Sequence, residues 1–544
     1  MNKLLRIALP LWLAIPALLP AQTALPSVQE VYKIFQAKCA SCHDHASPEG
    51  NLDLQGSGGT ELQRAVAVAG NLNAVPPNNA YALSKGYKRV YPGRPDRSFL
   101  FRKINGDLEP TIAALHANEG QPMPAYPGEA LSNAEKEIIR QWILYGAKTS
   151  GTQFDKAVVE SFHTTGGGRA FPDGPPPAPA PGEGFQVKMG PFYLAPDGEV
   201  EYYQKYELDL PADVEVNRVD FKISGYSHHF IAYNFTGNGA AAIPHGLRTN
   251  ANHSNINLVA AVQEATDLRL PNATAFKWAN DIVLDLNSHY INYSLTQPYQ
   301  CEAYVNVYTQ PTGTAEQEMF ATLLVKPDIF IPNNGNPISA SQAVFQPSVD
   351  SIYVWGLMGH THQYGTGYKV WKRMPNGQKG ELLYDAACGG GVPGCATPWF
   401  DYQHIPIRYW EPLLPIRWGH GIIHEANWLN DGPEPVFFGP TSDDEMMVLI
   451  AFYTLQPITV STDNGAQPGR PSPQVLPNPA HGHCLVRVPG QQSIRQFRLF
   501  DALGRVLQQY ADLPGDTVEL PLTGLAPGLY WFELDGQTGK ILVD

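Results

Sequence analysis

Between Gly166 and Gly184 the chain reads Gly-Gly-Gly-Arg and then, from Pro172 to Gly182, Pro-Asp-Gly-Pro-Pro-Pro-Ala-Pro-Ala-Pro-Gly. Proline gives up its amide hydrogen and glycine has no side chain to bury, so such a run builds no core and is expected to stand as a semi-rigid spacer. A second run of this kind leads from Thr462 to Ser472. The segments on either side must each bury apolar surface of their own. The 544 residues supply it: 43% are hydrophobic and only 16% charged, which excludes disorder of the whole chain. The 50 Gly, 49 Pro and 26 Tyr favour many short strands and turns, so most of the length is expected to be β structure. With 37 Lys and Arg against 51 Asp and Glu, the net charge of −14 argues against a general nucleic-acid or anionic-membrane binder.

The amino terminus carries Lys3 and Arg6 and then an apolar run, Ile7 to Ala21, broken by Pro10, Pro16 and Pro20. It is too short to span a bilayer and reads as a secretory signal peptide, cut between about Ala21 and Ala24, with no later stretch apolar enough to cross a membrane. The mature chain is expected to be exported: periplasmic, cell-surface or secreted.

From Val28 to Thr149 the spacing is helical at both ends. Val31, Ile34 and Phe35 share a face, and Ser132-Asn-Ala-Glu135 caps a run carrying Ile138, Ile139, Trp142 and Ile143. Beyond the spacer come short alternating segments, among them Val219-Asp-Phe-Lys-Ile223, Tyr304-Val-Asn-Val-Tyr308 and Met447-Val-Leu-Ile-Ala-Phe-Tyr453. This length suffices for two β-sandwiches. The expected order is signal peptide 1–24, small helical domain 25–150, linker 151–184, sandwiches 185–325 and 326–457, linker 458–474, and a small β domain 475–544.

Cys39-Ala-Ser-Cys42-His43 is a C-x-x-C-H motif. Two thiols at that spacing add to the vinyl groups of a haem while the adjacent imidazole reaches the iron, so one covalent haem c is expected. Met123, in Gln121-Pro-Met123-Pro124, is the expected second axial ligand, its thioether raising the reduction potential; His116 or water are the alternatives. Residues 25 to 149 resemble a small cytochrome c domain, through this motif, Gly50-Asn-Leu-Asp-Leu54 and Trp142-Ile-Leu-Tyr-Gly-Ala147, which implies electron transfer.

Other histidines fall in strand-like contexts: Ser227-His228-His229-Phe230, Asn287-Ser-His289-Tyr290 and Gly359-His360-Thr-His362. His360 and His362 share a strand face and can grip one ion, whereas neighbours such as His228 and His229 can do so only with help from backbone or rotamer. With Gly439-Pro-Thr-Ser-Asp-Asp-Glu-Met446, this ordered set resembles the copper type II, ascorbate-dependent monooxygenases, the peptidylglycine and dopamine hydroxylase family, over about Gly184 to Pro457. The resemblance implies two tandem jelly-roll-like sandwiches and two copper ions. His228, His229 and His289 would hold the electron-accepting copper, and His360, His362 and Met446 the oxygen-activating one. Soft thioether ligation favours Cu(I).

The implied activity is exported hydroxylation of an aliphatic C–H bond of a small-molecule or peptide substrate by O2. Electrons would come through the haem from ascorbate or a redox protein. The alternative is a non-catalytic secreted haem and copper protein. Met358 and Ile450 stand where peptidylglycine enzymes place a carboxylate-binding Arg and its assisting Tyr, so a C-terminal glycine substrate is not expected. Cys388 and Cys395 are candidates for a local disulfide, and the pairing of Cys301 and Cys484 is open. His245, His253, His404, His420 and His424 read as structural or surface residues.

Pro477-Asn-Pro479, Phe497-Arg-Leu-Phe-Asp-Ala-Leu-Gly504-Arg505 and Leu525-Ala-Pro-Gly528-Leu-Tyr-Trp-Phe532 resemble the C-terminal sorting domain of type IX secretion. That machinery is the implied partner.

Overall fold

Helix α1 (Ser27–Lys38) buries Val28, Val31, Tyr32 and Phe35 along one stripe, as the spacing requires. It shares one apolar core with α2 (Glu61–Leu72), α3 (Phe99–Ile104), α4 (Asn133–Leu144) and α5 (Lys156–Thr165). The start of α4 is closed by the expected capping box, Ser132 with Glu135, a device worth about 1 kcal/mol. The computed structural model describes residues 24–387, 399–439, 443–458, 473–488, 491–501, 505–535 and 537–543. The signal-peptide run, Cys388, Cys395, Gly504 and the whole second spacer run, 462–472, lie outside the described residues.

The expectation of a mainly β chain is met. The largest element is a nine-stranded sheet, its strands numbered here along the chain. These are β1 (Glu199–Glu207), β2 (Ser227–Phe235), β3 (Leu247–Arg248), β4 (Ile256–Val262), β5 (Val283–Ile291), β6 (Phe320–Val325), β7 (Ser351–His360), β8 (Arg408–Arg417) and β9 (Val448–Thr454). Their order across the sheet is β8–β7–β9–β6–β4–β2–β5–β1–β3. Strand β5 is buried along nearly its whole length, as a strand covered on both faces must be.

A seven-stranded sheet containing Gly184–Leu194 and Tyr299–Gln310 covers the β2–β5–β1 part, bringing Phe192 and Phe221 against Tyr202 and Phe230. A four-stranded sheet, Pro337–Val344, Gly365–Arg373, Lys379–Asp385 and Ile422–Leu429, covers β7 through Tyr368 and Tyr384. The two parts share the one nine-stranded sheet, joined where β6 meets β4 at the single pair Ala321 and Leu258.

The run from Gly166 to Gly184, expected to stand as a spacer, lies instead along the sheet. Gly168–Arg169 pairs in parallel with Tyr299 and Gln300, and the carbonyls of Pro176 and Pro177 accept from Gln186 and Asn306. A proline run has no amide hydrogens to offer, yet its carbonyls remain acceptors for neighbouring side chains.

The chain divides into two units, Met1–Ile458 and Thr459–Asp544. The second contains a seven-stranded sheet whose core includes Ile494, Phe497, Leu499 and Phe532. Cys301 and Cys484 are each buried and free.

Candidate metal centre

How two adjacent histidines face one point is answered by a β-bulge. His229 on β2 stands opposite His289 on β5, but the next residue, Tyr290, stands opposite Ser227, so His228 is the extra residue of the ladder. A bulge turns its extra side chain out of strict alternation, which brings His228 round to the side of its neighbour. Ligand atoms of His228, His229 and His289 all lie within 4.8 Å of one another.

The neighbouring strand holds one nitrogen of His229 and one of His289. Strand β1 presents Glu199 and Glu201 on one face. Glu201 Oε1 lies 3.1 Å from His229 Nε2, which also meets Asn287 Oδ1 at 3.1 Å, and Glu199 Oε1 lies 2.7 Å from His289 Nε2. With its Nε2 hydrogen donated, His289 turns Nδ1 inward, and that atom is buried without a hydrogen-bond partner. Carboxylates behind imidazoles in this way orient metal-ligating histidines.

The second set gathers at the end of β7. His360 closes the strand and faces Val448 of β9. His362 Nδ1 meets the Asp444 carbonyl at 3.0 Å, leaving Nε2 buried and without a partner. Glu445, fully buried, ties the two segments together. Its carboxylate accepts from the amides of His362 (2.8 Å), Tyr364 (2.7 Å) and Met446 (3.1 Å) and from Trp428 Nε1 (2.9 Å).

Burial pushes His228 down to about 3 and His362 to about 4, and neighbouring imidazoles add to both shifts. His360 falls well below its ordinary value for the same reasons. These rings are therefore neutral at physiological pH, the form that offers a lone pair to a metal.

In the helical part, Cys39, His43 and Met123 line one apolar cavity of about 250 Å³ with Phe35, Leu54 and Leu100. His43 Nδ1 meets the Glu49 carbonyl at 2.9 Å, which leaves Nε2 as its free atom. The Met123 amide donates to the Lys103 carbonyl at 2.7 Å, fixing that loop to α3. His116, the alternative ligand, stacks on Tyr81 and accepts from the Asn118 amide.

The helical part is docked on β1. Gln204 Nε2 donates to the Gly93 carbonyl, Tyr91 to Glu207, and Tyr145 to the hydroxyl of Tyr202. One strand thus carries this contact at one end and Glu199 and Glu201 at the other. Sequence reading did not find Glu199, Glu201, Asn287 or Glu445 as site residues. The Glu-x-Glu alternation puts both carboxylates on one strand face, but which strand lies beside them is a long-range fact.

His253 and His424 are held by Asp285 and by Tyr368 with Gln342. Met358 and Ile450 form a buried cross-strand pair.

Residues 474–543 match the family model described as secretion system C-terminal sorting domain. The chain thus carries a type IX export address and is an exported protein, with that machinery as a partner. Among the described residues no helix is long and apolar enough to cross a membrane. No curated protein matches the chain. Solved structures resemble it weakly. The STIV MCP is 10% identical over 51% of this chain and 98% of that one, with a TM-score of 0.27. A β-D-glucuronidase for Dictyoglomus thermophilum is 11% identical over 42% and 44%, with a TM-score of 0.14. Likeness at that level assigns neither fold nor function.

Proposed function

We propose that this exported protein is a copper-dependent monooxygenase that hydroxylates an aliphatic C–H bond of an organic substrate, with electrons supplied through a covalent haem c in its helical part. The observation that carries the reading is the pair of buried ring nitrogens, His289 Nδ1 and His362 Nε2, left without partners while the opposite nitrogen of each ring is held by an oxygen. A buried polar atom left unpaired costs about 1–3 kcal/mol, so a purely structural histidine has no reason to be built this way. The donor sets also fit copper: three imidazoles in one, two imidazoles and the Met446 thioether in the other.

Bound copper and haem would supply one-electron transfer and O2 activation for the overall change R–H + O2 + 2 e⁻ + 2 H⁺ → R–OH + H2O. The chain's own residues select tautomers through Glu199, Glu201 and the Asp444 carbonyl, and hold the second set together through Glu445. Cys39 and Cys42 would attach the haem, and His43 through Nε2 and Met123 through its thioether would hold its iron. The apolar pair Met358 and Ile450 offers no cation to a substrate carboxylate beside His360, which supports an uncharged reacting end.

The test is elemental analysis beside the haem absorption spectrum of the processed protein. About two coppers per covalent haem are expected, and Met446→Ala should weaken binding of one copper, read with Cu(I), while haem attachment is unchanged. Haem with no tightly bound copper, even after Cu(I) loading, would reduce the protein to a secreted cytochrome.

A further inference from the structure

The segment that carries Met123 is tied to α3 at two consecutive residues. Arg102 lays both arms of its guanidinium on the Glu119 carboxylate, Nε to Oε1 at 2.6 Å and Nη2 to Oε2 at 2.7 Å, with the two side chains only 7% and 1% exposed. The same guanidinium lies 5.0 Å from the centre of the Tyr87 ring. Such a pair is costly to bury, and its fork geometry fixes direction as well as distance. Lys103 makes the second tie. Its ammonium donates to the carbonyls of Glu119 (3.0 Å) and Gln121, and its own carbonyl takes the Met123 amide at 2.7 Å. The Glu119 carboxylate also settles where His116 goes. Oε2 accepts from the His116 amide at 2.7 Å, the imidazole Nδ1 takes the Asn118 amide at 3.1 Å, and the ring stacks on Tyr81 with 4.3 Å between centroids. The residues around the apolar cavity include Met123, beside Cys39 and His43, but not His116.

We infer that the Arg102–Glu119 pair is a latch that selects the second axial ligand of the proposed haem, keeping the Met123 thioether at the cavity and the His116 imidazole away from it. The inference rests on the haem reading above and goes beyond it, because it names positioning residues and decides between two side chains that the sequence leaves open. Both candidates belong to one stretch, residues 116–123, so the chain between them could bring either to the same place. What separates them is the buried carboxylate, which faces α3 with both oxygens and holds the His116 backbone with one. Groups behind a ligand decide its orientation, and a thioether in place of a second imidazole raises the reduction potential. Arg102, Lys103 and Glu119 thus act on the potential through Met123, as positioning residues.

The test uses the full processed chain with its haem attached and reads three quantities: the red charge-transfer band of a thioether on ferric haem, the spin state by electron paramagnetic resonance, and the midpoint potential. The unaltered protein should show the band. Glu119→Gln should lose it and fall in potential while the iron stays low-spin on His116, and adding His116→Ala should turn the iron high-spin, with the haem covalently bound throughout. A residue that merely supported the fold would not make the outcome depend on His116. If Glu119→Gln does not fold, Lys103→Met, which leaves the buried pair in place, should lose the band at a lower temperature than the unaltered protein, and the absence of that shift would overturn the latch. Band and potential unchanged in Glu119→Gln, or a spectrum on which His116→Ala has no effect, would overturn the latch and leave the haem reading standing. Covalent haem without the band in the unaltered protein would overturn the latch together with Met123 as ligand. No covalent haem at all would overturn the haem reading and the latch with it.

Discussion

Glu445 shows how one buried side chain can hold a site it does not belong to by type. Four donors converge on its carboxylate, and burial raises its pKa despite them, so the group is costly to bury and is retained for what it positions. Glu445→Gln keeps the shape but puts an amide nitrogen against at least one N–H donor. Copper affinity of the second set should fall roughly 10–100-fold with the first set unchanged, measured by competitive Cu(I) titration. Loss at both sets alike would mean that Glu445 merely supports the fold. At this scale the sequence is informative about residues whose spacing is dictated by chemistry: Cys39, Cys42 and His43 by the proposed haem, His360 and His362 by strand alternation. It is silent about Glu199, Glu201 and Glu445, because each acts on a histidine 28 to 90 residues away and only folding brings them together.

Among the elements, β1 and the docked helical part carry the next expectations. Gly93, Gly146 and Gly246 meet backbone to backbone, all at positive φ. A Cβ at Gly246 would come within 2.4 Å of the Gly146 nitrogen. Gly246→Ala should therefore loosen the docking, seen as faster proteolysis of the helical part with its haem spectrum retained.

Charge strengthens the same interface. Glu109 meets Arg140 at 3.2 Å and Lys188 at 2.5 Å, and Lys188 also reaches Glu302 at 3.1 Å. Burial alone would raise the Glu109 carboxyl, but Lys188 and Arg140 outweigh it and hold the carboxyl below its ordinary value of 4.5. A depressed carboxyl stabilises the folded form fully above its unfolded value, and that contribution is lost as the pH falls through the folded one. Melting temperature should therefore drop on acidification below about pH 4.5, and drop less in Glu109→Gln, which starts lower at neutral pH. The Pro-rich run belongs at this scale too. Its composition announces that it forms no core, but not that Gln186 and Asn306 would hold its carbonyls.

For the whole molecule, the division at Ile458 separates export from chemistry. Every residue assigned to the haem and copper sites lies in Met1–Ile458, and the sorting domain, residues 474–543, has its own core around Phe497 and Phe532. A chain ended after Ile458 keeps every member of the first unit's buried apolar clusters, which run from Val28 to Phe452. It should thus melt at the same temperature, bind the same copper and haem, and yet remain cell-bound, as fractionation with haem staining would reveal. A truncated chain that is released normally would remove the export role from the tail. One that is retained but no longer binds copper would show that the tail supports the metal-binding unit, against the independence of the two cores. The mainly β character and the position of the tail are legible in the sequence because alternation and turn residues are local. The sharing of one sheet between both histidine sets is not, because it rests on the pairing of Ala321 with Leu258, which no local pattern announces.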